Sequence, residues 1–255
     1  MTLTRAILLF IAAVLAGAMN SVAGGGSFIS FPALLFTGVP PIPANATSTV
    51  ALWPGSVAAI KAYGEKLPRS VRLLAPLALA SLAGGLAGAL ILLHTPQATF
   101  MHLVPYLFLI ATLLFTFGKH LSQWAGTRVK VSDHLSWTAI AGASFAQLFI
   151  AVYGGFFGGG IGILMLAMLA LIQMEDIHSM NALKSLLAAA INGAAVVTFI
   201  AARAVYWPQA VLMIAAAIVG GYGGASVAQK IDPRWTRALV IIIGFSMTAW
   251  FLWRY

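Results

Sequence analysis

Cysteine is absent from this chain of 255 residues, and acids are nearly so, with 5 Asp and Glu in total. No disulfide, thiol nucleophile or zinc–thiolate site can exist, and cysteine usage says nothing of the redox compartment. Charged residues make up 7%, where a soluble domain carries about 25%. A water-facing surface cannot be assembled from so little charge. That excludes a soluble enzyme, a disordered chain and a coiled coil. What is present instead is apolar bulk: 61% hydrophobic residues and a mean hydropathy of +0.98. The composition is that of an integral membrane protein whose outer surface meets lipid. Long runs almost free of charge predict helices; a barrel would show short alternating strands.

The net charge is +9. Nucleic acid is not the expected partner, because basic residues in a membrane protein collect in cytoplasmic loops. An α-helical span takes about 20 apolar residues. Eight segments qualify, at 4–36, 44–63, 71–93, 99–117, 135–173, 177–202, 207–229 and 235–251. The first and fifth are too long for one crossing. Each holds a glycine triplet, Gly24-Gly25-Gly26 and Gly158-Gly159-Gly160. Each glycine costs a helix about 1 kcal/mol relative to alanine. Both segments are therefore expected to break, with a short helix of about three turns after each triplet. The N-terminal run imitates a signal peptide, but its mid-chain counterpart marks it as a retained span.

Three connections are basic: Lys61–Arg72, Lys119–His134 and Lys230–Arg237. Eight complete crossings would place both termini and the Lys119–His134 linker on one side, with ten of the 14 basic residues. The expectation is that this side is cytoplasmic, leaving Lys230–Arg237 outside. Trp124, Trp137, Tyr206, Trp207, Trp235, Trp250, Trp253 and Tyr255 fall near span ends, as interfacial anchors do. Trp53 falls mid-span beside Pro54 and Gly55. Packing bulk is its simplest role, and lining a cavity the other.

The chain repeats itself. The triplets are 134 residues apart. Asn45-Ala46 and Asn181-Ala182 are 136 apart, as are Gly84-Gly85-x-x-Gly88 and Gly220-Gly221-x-x-Gly224. Two four-span halves are expected, 1–120 and 135–255, joined by a basic linker at 121–134. An even span count per half implies a pseudo-two-fold along the membrane normal. Repeats are a mark of secondary transporters, which bind substrate at the repeat interface. The small-residue motifs at 84–88 and 220–224 read best as close helix packing.

Two stretches could carry chemistry. Asn20-Ser21-Val22-Ala23-Gly24-Gly25-Gly26-Ser27 would place unwound backbone at membrane depth, tolerated only in protein or beside an aqueous cavity. Free N–H groups at a new helix start attract an anion, and Asn20, Ser21 and Ser27 add neutral donors. After Pro40, Pro41 and Pro43, Asn45 or Thr47 could cap the next helix. Asn45, Ser48 and Thr49 would also share a helix face. In the second half Asn181, Lys184 and Ser185 repeat that face, with Lys184 where Ser48 stood. Lys184 is the one basic residue well inside a span. Its cost there, about 2.5–3.5 kcal/mol, makes it a functional candidate, against snorkelling or an ion pair with Glu175 or Asp176. Glu175, Asp176 and His178 could relay protons, though a solvated loop is the simpler reading. The five histidines show no helical pairing that would hold a metal. No P-loop, Gly-x-Ser-x-Gly elbow or His-Glu-x-x-His motif is present. No enzyme chemistry and no cofactor are expected.

The patterns Asn20-Ser21-x-Ala23-Gly24-Gly25-Gly26-Ser27, with Pro32 and Ala44-Asn45-Ala46-Thr47-Ser48, and Gly155-x-x-Gly158-Gly159-Gly160-x-Gly162, with Met180-Asn181-Ala182-Leu183-Lys184, are similar to those of the sulfite exporter TauE/SafE (TSUP) permeases. The resemblance covers the whole chain. It implies a multi-pass carrier of the bacterial inner membrane for sulfite, an organosulfonate such as sulfoacetate, or a related small anion. The expected function is alternating access at the repeat interface, with a proton or other ion as possible coupling partner. The expected substrate-binding residues are Asn20, Ser21, Gly24, Gly25, Gly26, Ser27, Asn45, Ser48, Thr49, Gly158, Gly159, Gly160, Asn181, Lys184 and Ser185. An anion channel and a non-transporting membrane subunit are the rival readings.

Overall fold

The structure is a computed structural model. It describes residues 1–22, 25–63, 67–68, 70–126, 137–172, 174, 176–228 and 233–254, and not the side chains at 21–22, 58–63, 118–126, 177–178, 222–228 and 233–237. Ten helices form among the described residues: α1 (Leu3–Val22), α2 (Ser27–Phe36), α3 (Pro41–Tyr63), α4 (Val71–His94), α5 (Gln97–Gly126), α6 (Trp137–Phe156), α7 (Ile161–Leu171), α8 (Ile177–Ala201), α9 (Trp207–Ala228) and α10 (Pro233–Arg254). Five have described stretches long and apolar enough to cross a membrane: α1, α4, α5, α6 and α8. α5 runs to Gly126, so the first part of the expected linker is helical.

Neither α2 nor α7 continues the helix before it. Gly26 sits against α1, where a Cβ would stand 2.5 Å from the Ala16 carbonyl and 3.1 Å from Asn20 Cβ. Only a chain that turns back brings residue 26 beside residue 16. Ile161 likewise returns to Gly154, its Cγ2 3.3 Å from where a Cβ would be. Here Gly158 (φ +83°) and Gly160 (φ +78°) take left-handed conformations that glycine adopts without a Cβ penalty. Both turns lie against the middle of α5, Gly25 beside Phe115 and Gly160 beside Ala111.

Contacts between helix ends fix the direction of the helices after α1, and the turn at Gly26 then fixes that of α1. The Ile42 N–H donates to Gln97 Oε1 (3.0 Å) and the Tyr206 N–H to Thr47 Oγ1 (3.0 Å). Phe36 packs edge-on against Trp250, with ring centroids 5.0 Å apart. These contacts gather the starts of α3, α5 and α9 and the ends of α2 and α10 at one face, which also holds the N-terminus. At the opposite face Arg72 lies 4.0 Å over the Trp137 ring. There Leu73, Leu77, Met168, Leu169, Met180 and Leu183 form one buried cluster. α3, α4, α5, α8, α9 and α10 run from face to face. α1 with α2, and α6 with α7, are hairpins that enter from opposite faces and return to them.

The expectation that the linker and the termini share a side therefore does not hold. The linker leaves α5 at the face opposite the termini. The cause is the doubling back: a 10-residue helix that re-enters adds no crossing, so α3, α4 and α5 make three crossings before the linker. α3 and α8 are antiparallel, with Thr47 beside Tyr206 and Trp53 beside Ala189. α5 and α10 are antiparallel as well, with Phe108 on Phe251 and Thr112 on Gly244.

Bare glycine backbone sets the closest packing. A Cβ on Gly88 would collide with the Val152 carbonyl of α6, and one on Gly220 with the Val14 carbonyl of α1. Near the terminal face an aromatic nest fills the core: Phe28, Phe31, Phe100, Phe108, Phe157 and Phe251. Edge-to-face and tilted pairs of this kind add about 0.5–1.5 kcal/mol each beyond burial.

Candidate functional site

α3 begins on prolines, which leaves its polar residues for other work. Proline at the first helical position has its φ pre-set and no N–H to satisfy. Ile42, between two prolines, gives its N–H to Gln97. Asn45 and Thr47 are consequently not caps of their own helix, contrary to the sequence expectation. Asn45 is buried and its Nδ2 donates to the Phe156 carbonyl (3.2 Å), closing the end of α6 beside the second glycine turn. Thr47 accepts from Tyr206. Ser48 is buried and bonded to Ser30 of α2, Oγ to Oγ at 2.6 Å, and Ser30 also donates to the Gly26 carbonyl. Thr49 donates back to the Asn45 carbonyl. The polar face of the first half is thus occupied largely by internal bonds.

The second half differs. Asp176 takes the start of α8, accepting from the N–H (3.1 Å) and hydroxyl (2.6 Å) of Ser179. Lys184 lies eight residues on, about 12 Å along the helix axis. Its Nζ donates to Asn181 Oδ1 at 2.9 Å. For Asp176 the ion pair weighed from sequence gives way to these two local arrangements; its alternative partner, Glu175, lies outside the described residues. The Lys184 stem crosses Gly162, in the first turn of α7, where a Cβ would stand 3.4 Å from Cδ. The first N–H groups of a helix have no intrahelical acceptor, so Lys184 adds a full charge to a helix end already favourable to anions. Ser185 donates to the Asn181 carbonyl (2.8 Å). Lys184, Asn181 and Ser185 are all partly exposed.

The structure therefore brings Lys184, Asn181 and the start of α7 together, with Gly158, Gly159 and Gly160 leading into α7. Gly159 and Gly160 lie against Ala111 of α5. Asn20, Gly25, Gly26 and Ser27 form a second group at the first turn. Gly24 lies outside the described residues, as does the side chain of Ser21. Sequence reasoning missed Ser30, the single hydroxyl between Phe28 and Phe36, and the Gln147–Ser81 bond (2.8 Å) buried between α6 and α4. No sequence signal pairs Gln147 with Ser81, since they are 66 residues apart. Among the described residues, no group of three or more His, Asp or Glu could hold a metal.

The TauE model, described as "Sulfite exporter TauE/SafE", matches residues 9–251. The chain belongs to the TauE/SafE sulfite exporter family. It is 27% identical to a "Probable membrane transporter protein" of Haemophilus influenzae, over 95% of this chain and 92% of that protein. It is 26% identical to "Probable membrane transporter protein ORF9" of Sinorhizobium sp., over 94% and 89%. It is 25% identical to "Probable membrane transporter protein YfcA" of Escherichia coli K12, over 94% and 87%. No solved structure matches. The protein is a multi-pass membrane protein of a transporter family.

Proposed function

We propose that the protein is a secondary carrier for a small anion, with sulfite or an organosulfonate such as sulfoacetate as the substrate class. The observation that carries this reading is Lys184. An ammonium within a transmembrane helix is costly, and here it is held by Asn181 across a glycine at the start of a re-entrant helix. The anion would sit between the Lys184 ammonium and the first N–H groups of α7, with Ser185 one residue on. In this reading the two halves are inverted repeats about an axis in the membrane plane. The Gly84 and Gly220 crossings support it. A Cβ on Gly84 would meet the Leu148 carbonyl and one on Gly220 the Val14 carbonyl. These partners are related by the same offsets, 136 and 134, that the sequence repeats. Inverted repeats with broken helices at the midplane suit alternating access.

The inversion also bears on orientation. The ends of α3, α5 and α9, which lead into the three basic connections, all lie at the linker face, while Arg5, Arg203 and Arg254 belong to the terminal face. The positive-inside bias then puts the linker face in the cytoplasm of a bacterial inner membrane, with both termini outside. A periplasm-active reporter fused after Arg254 is expected to be active, and a cytoplasm-active one silent.

The carrier reading is tested by uptake into proteoliposomes of sulfite, sulfoacetate, taurine, sulfate and thiosulfate. Saturable transport by the parent protein and its loss in Lys184→Met, with folding retained, is the expected result. Non-saturating flux without counter-transport would favour an anion channel. No flux of any anion would leave a non-transporting subunit.

A further inference from the structure

We propose that the Trp53 indole is the barrier dividing the substrate path into two half-paths, one open to each face. The proposal rests on the carrier reading, but its test requires no known substrate. On α3 the residues Asn45, Ser48, Thr49 and Trp53 share one side of the helix. On α8 Asn181, Lys184, Ser185 and Ala189 do the same, each 136 residues after its counterpart. The two series meet at their ends: Trp53 Nε1 donates to the Ala189 carbonyl at 3.1 Å. A residue in contact with its own counterpart marks the place where the halves cross.

Because α3 and α8 are antiparallel, the two polar series leave this contact in opposite directions. Thr49 lies four residues from Trp53, about 6 Å toward the terminal face. Ser185 lies four residues from Ala189, about 6 Å toward the linker face. Both are partly exposed, although α3 packs against α1, α2, α5, α8 and α9, and α8 against α3, α4, α6 and α7. Between them stands one indole. The second half supplies only a methyl group at Ala189, and Gly193 leaves the adjoining surface bare. A Cβ on Gly193 would stand 3.4 Å from Trp53 Nε1 and 3.5 Å from Cζ2. An anion at Lys184 is on the linker side of this indole. To reach the Thr49 side it must displace the indole from the Ala189 carbonyl.

The lack of cysteine makes the test direct. Single-cysteine variants Thr49→Cys and Ser185→Cys are treated with a small, membrane-impermeant, negatively charged methanethiosulfonate in right-side-out and inverted vesicles. With Trp53 present, Thr49→Cys should react only from the terminal face and Ser185→Cys only from the linker face. Adding Trp53→Ala should make each react from both faces, the far-side rate rising at least tenfold. Trp53→Phe keeps most of the bulk but loses the N–H, and should raise the far-side rate severalfold. Should Trp53→Ala aggregate in detergent, the Trp53→Phe variant decides alone. One-sided labelling that survives Trp53→Ala would overturn the proposal. So would two cysteines that react from the same face, or from neither. Failure of the anion reading is separate: Lys184→Met with normal transport would refute that reading and leave the labelling pattern untouched.

Discussion

α3 and α8 carry the same polar spacing and have come to different ends. In α3 the middle position is Ser48, which is buried and closed on Ser30. In α8 it is Lys184, partly exposed and held by Asn181 across Gly162. The residue 134 positions before Gly162 is Phe28, buried in the aromatic nest against Phe108 and Phe115. One copy has thus been filled with apolar rings and a neutral hydroxyl pair, while the other keeps a cation and the room for it. In the proposed reading a duplicated fold supplies two such helix turns, and the anion needs only the one that carries a charge. The difference teaches that equal polar spacing on two helices does not give equal partners: a buried hydroxyl pair in one, a partly exposed cation in the other.

The strongest way to break the comparison is to attack what both halves share. Gly84 and Gly220 each lie on a helix carbonyl of the opposite half. Backbone cannot yield as a flexible side chain does, so Gly84→Leu and Gly220→Leu should both abolish monodisperse protein in detergent. If only one of the two did so, the crossings would not be equivalent. The next effect separates the halves. Lys184→Met should reduce anion uptake at least tenfold with the thermal midpoint nearly kept. Lys184→Arg should also fail, since a planar guanidinium does not replace a compact ammonium. Ser48→Ala should leave the substrate KM unchanged and lower stability by about 1 kcal/mol, the usual net value of one hydrogen bond. A Ser48→Ala protein with impaired affinity would return the first half to the site.

Much of this was legible before any coordinates. Apolar runs gave most of the long helices to within a few residues, because a span in lipid must satisfy its backbone internally, although α5 runs on to Gly126, nine residues past its expected end. Gly25 and Gly26 lie between α1 and α2, and Gly158–Gly160 between α6 and α7. The direction of the chain after the triplets was not legible. A 10-residue apolar helix has the same composition whether it completes a crossing or returns, and only the contact of Gly26 with Ala16 decides. That single ambiguity decides the relation of linker to termini and, in the proposed reading, the direction of the repeat axis. The roles of Asn45 and Thr47 were hidden for another reason. A polar residue after prolines reads as a local cap, and its true partners, Phe156 and Tyr206, are 111 and 159 residues away.

An intermediate effect is expected at Asn45. Its amide closes the Phe156 carbonyl at the end of α6, so Asn45→Ala leaves a buried acceptor unpaired at about 1–3 kcal/mol. The damage should extend to function, because Phe156 immediately precedes the turn that aims α7. Asn45→Asp should be no better, since it removes the donor. Transport falling with stability in Asn45→Ala, and an unchanged profile in Thr49→Val, would place the anchor at Asn45. Equal effects of the two would argue for a shared polar surface instead.

The smallest effect tests the two crossings against each other. Where α6 meets α4, Gln147 donates to Ser81 at 2.8 Å, and both are fully buried. The positions related to them by the offsets of 134 and 136 are Ala13 and Ala217, also buried and without a polar side chain. The same helix crossing therefore forms with and without a side-chain hydrogen bond. Bonds of this kind between transmembrane helices contribute about 0.6 kcal/mol on average and rarely more than about 1.7 kcal/mol. Ser81→Ala alone should cost about 1 kcal/mol, since it leaves the Gln147 amide without its acceptor. Gln147→Leu alone should cost a similar amount. The double variant should cost less than the sum, because no polar group is then left unmatched. Thermal unfolding in one detergent, run as a double-mutant cycle, gives the coupling directly. Strict additivity would show that the pair contributes nothing to the packing of α4 on α6. A double variant that is stable but no longer transports would give Gln147, whose Oε1 has no hydrogen-bond partner among the described residues, a role beyond packing.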